Sequence, residues 1–346
     1  MTRLERLGAG LVEPLLVTGG VNVRYLTGLS SSNAALVVEP GGATMLYTDF
    51  RYLEKAAAVE GVELVQTARD VIGWLATALS GRRVGFEPAH VTFAAYECLT
   101  SGGVDLVPTD GLVEVLRRVK EPAEIAAIRR AAAISDEVYA ALAEQPFTGR
   151  TERDLAWWIE QAFHEAGADG LAFGPIVASG ANGASPHAEP SDLVIAAGTL
   201  VTIDSGCRID GYCSDCTRTF ATGDLPTALG EAYALCLEGQ LAGLVAVRPG
   251  ASGRDVDAAS RVAIDAAGLG ERYGHGLGHG VGLEVHEVPT LRPESPDVLE
   301  PGNIVTVEPG IYLPGVGGVR IEDLVLVTND GAESLTHFTK ELTAVG

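Results

Sequence analysis

The sequence predicts an α+β protein of two domains, and three observations carry that expectation. The chain has 346 residues, whereas a typical domain holds about 100–200. Up to about residue 118, short β-branched runs alternate with short helical patterns and Pro/Gly turns; beyond it, helices come in pairs followed by strands. Between the two lies a long helical pattern, Leu116–Ala143, opened by Pro122 with Glu121 and Glu124 beside its first turn, which is a helix-start signal. The domains are accordingly expected at 1–118 and 119–346.

An apolar fraction of 47% is ample for two cores. Forty-six acidic residues against 24 basic ones give a net charge of −22. Such a surface repels phosphate, which argues against nucleic acid and anionic membrane as partners. No apolar run approaches the roughly 18 residues of a membrane helix, and the start MTRLERLGAGLVEPLLV lacks a signal-peptide pattern. The five cysteines are odd in number and mostly clustered, which suits reduced thiols in the cytoplasm. Cys213-Ser-Asp-Cys216 is formally C-x-x-C, but it falls within a strand and has no second pair, so it reads as structural.

In the first domain, Pro14–Thr18, Ala34–Val38, Thr44–Tyr47 and Arg83–Phe86 read as strands, and Arg51–Val59 and Val71–Leu79 as helices. The result is a small α/β unit with a mixed sheet. It shows no Gly-rich phosphate loop and no clustered His, Asp or Glu that would suggest chemistry.

The second domain continues with the helix Thr151–Ala166, opened by a capping-box pair, Thr151 and Asp154, and carrying a surface His164. A strand over Phe173–Ser179 runs into a loop of small residues that ends at His187, placed to reach a cleft. Thr199–Phe220 reads as a hairpin: Leu200–Ile203 delivers Asp204, Asp210-Gly211 turns the chain through a connection longer than two residues, and Tyr212–Phe220 carries Asp215. Two ionised carboxylates brought side by side need a shared proton or a cation; taken alone, the pair reads equally as surface aspartates near a turn. Helices over 227–247 and 255–267 follow, so the helix–helix–hairpin order recurs in the manner of an internal duplication.

The remaining chemistry-bearing residues come late. Tyr273–Glu287 holds His275, His279 and His286 among alternating glycines, which exclude a helix and with it the helical H-E-x-x-H zinc motif. A strand over Asn303–Gly310 ends at Glu308. Another, over Gly318–Asp323, places Arg320 and Glu322 on one face. Asp204, Asp215, His279, Glu308 and Glu322 thus lie at or near strand ends. Four carboxylates and one imidazole can hold two divalent ions, and the oxygen-rich set favours Mn²⁺ over Co²⁺ or Zn²⁺. Such a pair of ions can activate water for amide hydrolysis.

The stretches Val201–Gly206, Ser214–Phe220, HGLGHGVGLEVHE, TVEPGIY and VRIED resemble those of the pita-bread metallopeptidases, in the proline-specific branch of Xaa-Pro dipeptidase (prolidase) and aminopeptidase P. The resemblance covers the whole chain. It implies a creatinase-like N-terminal domain, a pita-bread catalytic domain and a homodimer. It also implies Asp204, Asp215, His279, Glu308 and Glu322 as ligands of two metal ions. By the same resemblance, His187 and His286 would contact the substrate carbonyl and Glu308 would carry the proton. His275 would line the proline side, and Arg320 would hold the network around Glu322. The implied substrates are proline-containing di- or oligopeptides, with the dipeptidase ahead of aminopeptidase P. A non-catalytic peptide-binding module is disfavoured because all five ligand positions are filled.

Overall fold

Runs of Leu, Val and Ala buried on both faces build the sheet of the first of two units, Met1–Arg117 and Arg118–Gly346, in a computed structural model that describes residues 1–346. The strands are β1 (Leu15–Val17), β2 (Ala34–Val38), β3 (Thr44–Asp49), β4 (Glu63–Thr67), β5 (Arg83–Phe86) and β6 (Asp105–Pro108). They pair in the order β4-β3-β2-β1-β5-β6. The β1–β2 and β2–β3 pairs are antiparallel, whereas β3–β4, β1–β5 and β5–β6 are parallel. Parallel pairs need crossovers, and the helices Leu53–Ala56, Val71–Ala78 and Phe93–Ser101 lie on them.

One expectation for this unit is corrected. The helix expected over 51–59 is the single turn Leu53–Ala56. The Asp49 carboxylate accepts from the Arg51 backbone N–H and guanidinium and fixes the preceding residues as a turn, while Gly61 at φ 75° leads the chain away into β4. Acidic and imidazole groups also do cluster here, at Glu87, His90 and Glu114. The amide of Asn22 fills their centre, donating to Glu87 Oε1 and Glu114 Oε1 at 2.6 Å each, and its own oxygen accepts from Arg117 Nη1 at 2.8 Å. The cluster is a closed hydrogen-bonded knot.

The second unit opens with the helix Pro122–Ala143, whose start is secured by reciprocal Glu121–Glu124 capping. Its Tyr139 hydroxyl donates to the carbonyls of Ile203 and Cys216, at 3.1 and 2.5 Å, and so fastens both arms of the hairpin. The helix Glu152–Glu165 is capped by Thr151 and Asp154 and leaves His164 exposed. A four-stranded sheet follows, in which Leu200–Ser205 lies between Ile176–Ser179 and Cys216–Ala221, with Thr343–Ala344 at the edge. A second helix pair, Thr227–Ala246 and Gly253–Ala266, precedes a five-stranded sheet built from Glu287–Leu291, Gly278–Gly280, Ile304–Val307, Asp323–Val327 and Ala332–Ser334. Helix pair then sheet therefore occurs twice. Val256, Ile264, Leu277, Val305, Val307 and Val325 are fully buried in the core of the second half.

The central hairpin differs in one respect from the sequence reading. Ile209 pairs with Tyr212, so Asp210-Gly211 is a two-residue connection, with φ 51° and 81° as a mirror-image turn requires. The connection reads longer in the sequence because the ladder beyond it is interrupted. Gly206 lets the chain pass so close to its return that a Cβ there would lie 2.0 Å from Ser214 O.

Candidate metal centre and cleft

Each acidic side chain of the centre is delivered by a strand end. Asp204 is the fifth residue of Leu200–Ser205 and faces Thr217 across the ladder; Asp215 immediately precedes Cys216–Ala221. Glu308 follows Ile304–Val307, with its N–H donating to Leu277 O. The strand expected over 318–323 is split: Gly317–Arg320 pairs with Gly310–Leu313, Asp323–Val327 joins the larger sheet, and Glu322 lies in the break between them. There its N–H donates to Thr217 O, which sets it beside the hairpin. Arg218, wholly buried, pairs with Asp323 at 2.8 Å and donates to Glu322 O, holding the break in place.

Asp204, Asp215, His279 and Glu308 line one cleft of about 430 Å³, together with His187, His275, His286 and Arg320. Ligand atoms of Asp215, His279 and Glu322 lie within 4.8 Å of one another. His279 Nε2 is 3.1 Å from Glu308 Oε1 and 3.7 Å from Asp215 Oδ2, while its Nδ1 donates to Gly280 O. That donation aims Nε2 at the carboxylates.

The charges are ill at ease without a cation. Burial, then the charges of Glu322, Asp204 and Glu308, push the Asp215 carboxyl well above its ordinary range. Glu322 is likewise raised, by burial and then by Glu308 and Asp204. Burial also raises Asp204, although Arg320 opposes it. Glu308 goes the other way: burial would raise it, but the hydrogen bond and charge of His279 prevail. Asp204 Oδ1 and Glu322 Oε1 are buried with no hydrogen-bond donor. Two orphaned carboxylate oxygens facing further carboxylates and an imidazole nitrogen are the donor set a hard divalent cation requires.

Arg320 meets one carboxylate directly and the other through a hydroxyl. Its Nη2 pairs with Asp204 Oδ2 at 2.8 Å, and it reaches Glu322 only through Thr217, whose Oγ1 accepts from Arg320 Nε and donates to Glu322 Oε2. Arg320 Nη1 also donates to the Tyr312 hydroxyl, which meets His275 Nε2 at 2.9 Å. His275 Nδ1 donates to Gly276 O, which turns Nε2 toward the Tyr312 hydroxyl. Burial holds its pKa below the usual imidazole value. The His286 ring stands edge-on to His279 at 4.3 Å, its pKa lowered by burial and then by His279. The next residue, Glu287, accepts from buried Lys120 Nζ at 3.1 Å and from Glu284 N, anchoring that loop. His187 is exposed at the cleft wall, and Pro186 O before it accepts from Arg320 Nη1.

Sequence reasoning missed Thr217, Thr306, Tyr312, Lys120 and Arg218. Thr306 is visible on the face shared with Glu308, and its hydroxyl indeed donates to Glu308 Oε1 at 3.0 Å. Tyr312 stands in the TVEPGIY stretch; Gly310 makes room for it, because a Cβ there would lie 2.3 Å from its hydroxyl. The others carry no local signal.

Fold and site together define a metallopeptidase of pita-bread architecture. The chain belongs to metallopeptidase family M24, whose profile matches residues 126–329, and residues 3–119 match the Creatinase/Prolidase N-terminal domain. It is 40% identical to the uncharacterized peptidase YqhT of Bacillus subtilis, over 96% of this chain and 95% of that protein. Among solved structures it resembles an Xaa-Pro dipeptidase from Bacillus anthracis, at TM-score 0.94 and 38% identity over 99% of each chain. It also resembles an X-Pro aminopeptidase from Thermotoga maritima, at TM-score 0.89 and 31% identity over 99% of this chain and 100% of that one.

Proposed function

We propose that this protein is an exopeptidase that hydrolyses the peptide bond preceding proline, acting chiefly as an Xaa-Pro dipeptidase. The observation that carries the reading is the convergence of Asp204, Asp215, His279, Glu308 and Glu322, with two buried carboxylate oxygens left without donors. These five residues would hold two divalent ions, with Mn²⁺ favoured by the oxygen-rich donors. When bound, such ions supply an activated water and Lewis acidity toward the scissile carbonyl.

The chain's own residues do the rest. His187 and His286, which both line the cleft, donate hydrogen bonds to the oxygen that gains negative charge as the carbonyl carbon becomes tetrahedral. Glu308 Oε1 is held by Thr306 and His279, which leaves Oε2 to take the proton released by the attacking water and pass it to the proline nitrogen as the C–N bond breaks. His275 and Tyr312 form a rigid, neutral wall for the proline ring. Arg320 neutralises Asp204 and braces Glu322 through Thr217. A cytoplasmic setting is carried over from the cysteine pattern of the sequence, an odd number of mostly clustered thiols. A homodimer is carried over from the family resemblance.

Dipeptidase and aminopeptidase readings differ at the carboxyl end of proline. A dipeptide's carboxylate needs a cationic partner. Arg320 is committed to Asp204, but Arg292 also lines the cleft, exposed and without an acidic partner. It sits hard against Gly276, where a Cβ would lie 2.8 Å from that of Arg292. We assign it the carboxylate. With equal metal loading, Ala-Pro should exceed Ala-Pro-Ala in kcat/KM, and Arg292→Ala should raise KM for Ala-Pro while sparing the tripeptide. A tripeptide preference of about tenfold, roughly 1.4 kcal/mol of differential transition-state binding, would move the protein to the aminopeptidase P reading.

A further inference from the structure

The loop that carries His187 is clamped at both ends by one buried carboxylate. Glu152, the first residue of its helix, is 0% exposed and accepts five hydrogen bonds. Its Oε1 takes the backbone N–H and the hydroxyl of Ser179, at 2.7 and 2.9 Å, where the strand Ile176–Ser179 ends. Its Oε2 takes Asn182 Nδ2 at 2.7 Å and the backbone N–H and hydroxyl of Ser191, at 3.1 and 2.7 Å. Ser179 and Asn182 precede His187 and Ser191 follows it, so residues 180–190 form a strap fastened at both roots to one side chain. Arg320 fastens its middle through Pro186 O at 3.2 Å.

We propose that Glu152 is a positioning residue for hydrolysis, holding the strap so that His187 meets the developing oxyanion; the inference rests on the role given to His187 above. The segment Gly180-Ala-Asn-Gly-Ala-Ser-Pro has little side-chain bulk with which to pack itself into one shape. Its first half is a 3₁₀ turn, Gly180–Ala184, packed so closely on Gly317–Arg320 that a Cβ on Gly318 would lie 1.9 Å from Gly183 O. The five hydrogen bonds to Glu152 tie that turn to the far root at Ser191. The requirement is for two oxygens. Ser179 N donates to one and Ser191 N to the other, and neither backbone donor can turn away as a hydroxyl can. In Glu152→Gln, either orientation of the amide faces one of these N–H groups with an NH₂, so one root of the strap comes loose. A displacement of about 1 Å at a reacting group can cost about 10²-fold in rate.

The test is a double-mutant cycle in the metal-loaded enzyme, with Ala-Pro as substrate. Glu152→Gln is expected to keep its metal content and to leave KM within about threefold, while kcat falls about tenfold or more. It is also expected to expose residues 180–190 to limited proteolysis. In a His187→Ala background the same change should cost less than about twofold in kcat, because the group it positions has gone. A full, additive loss in that background overturns the proposal. So does an unchanged kcat accompanied only by a lower melting temperature, which is the result for a purely structural clamp. If Glu152→Gln does not fold, Glu152→Asp, which keeps two oxygens but withdraws both from the Ser179 and Ser191 N–H groups by one methylene, takes its place in the cycle, where an additive loss or an unchanged kcat again overturns the proposal. If His187→Ala alone leaves kcat untouched, the role of His187 fails first. That outcome is distinct from one in which His187→Ala is costly and Glu152→Gln is not.

Discussion

Asp204 and Glu322 each carry one buried oxygen that no group in the protein donates to, whereas their other oxygens are held by Arg320 and Thr217. At the scale of single residues, the proposed reading separates the two neighbouring imidazoles: His279 as a ligand and His286 as a substrate contact. His279 aims Nε2 at carboxylates, whereas His286 makes no such contact and only packs edge-on against it. His279→Ala should lower metal content, read by elemental analysis. His286→Ala should keep its metals and lose about 10²-fold in kcat, the scale of one oxyanion donor. The reverse pattern would exchange the two roles. Asp204 and Glu308 could be noticed in the sequence because a β-branched run or a Pro-Gly stop marks their strand ends, and His279 because three histidines crowd among glycines; the full ligand set rested on the resemblance of the motifs. The supports of these ligands could not be noticed. Thr217 meets Glu322 across 105 positions, and Lys120 meets Glu287 across 167. A lysine just before a helix, or a threonine in a strand, gives no sign of such a partner.

Among the elements, capping chemistry was the most legible part of the fold. The helices at Pro122–Ala143 and Glu152–Glu165 begin where their Glu121–Glu124 and Thr151–Asp154 pairs predicted. Close approaches were not legible, because glycine looks the same in a turn and under a neighbouring strand. Gly206 is of the second kind. In Gly206→Ala the new methyl would meet the backbone of Ser214, which cannot swing aside, so the hairpin itself must shift. We expect a loss of about 1–3 kcal/mol in a denaturant melt, and lower metal occupancy, because Asp204 and Asp215 flank the displaced backbone. An unchanged melt would mean that the two arms part freely. The split at Glu322 escaped the sequence for a related reason: the apolar run continues through Ile321 and Leu324, and only the sheet to which each side belongs reveals the break.

For the molecule as a whole, the raised carboxyls of Asp215 and Glu322 link stability to pH. A folded pKa above the unfolded one means that the native state binds the extra proton. This contribution is complete below the ordinary carboxylate pKa of about 4 and is lost as pH rises through the folded values. His275 and His286, held below the usual imidazole value, tilt the protein the other way, so the effect is read as a difference. In chelator-treated protein, Asp215→Asn should melt higher than the wild type at pH 8, with the gap closing towards pH 5; a gap that widens on acidification would refute the linkage. Membership of the family was legible because the motifs span most of the catalytic unit, whereas the interior of the N-terminal unit was not, its Glu87–Asn22–Glu114 knot being assembled from distant segments. The two orphaned oxygens have a last consequence, one of mass action. A divalent ion that binds only the folded cleft adds stability as the logarithm of its free concentration, about 2.7 kcal/mol at a hundred times its Kd. The melting temperature is then a reading of metal supply, and in a metal-starved cell the unfolded fraction of this peptidase rises before a single residue has changed.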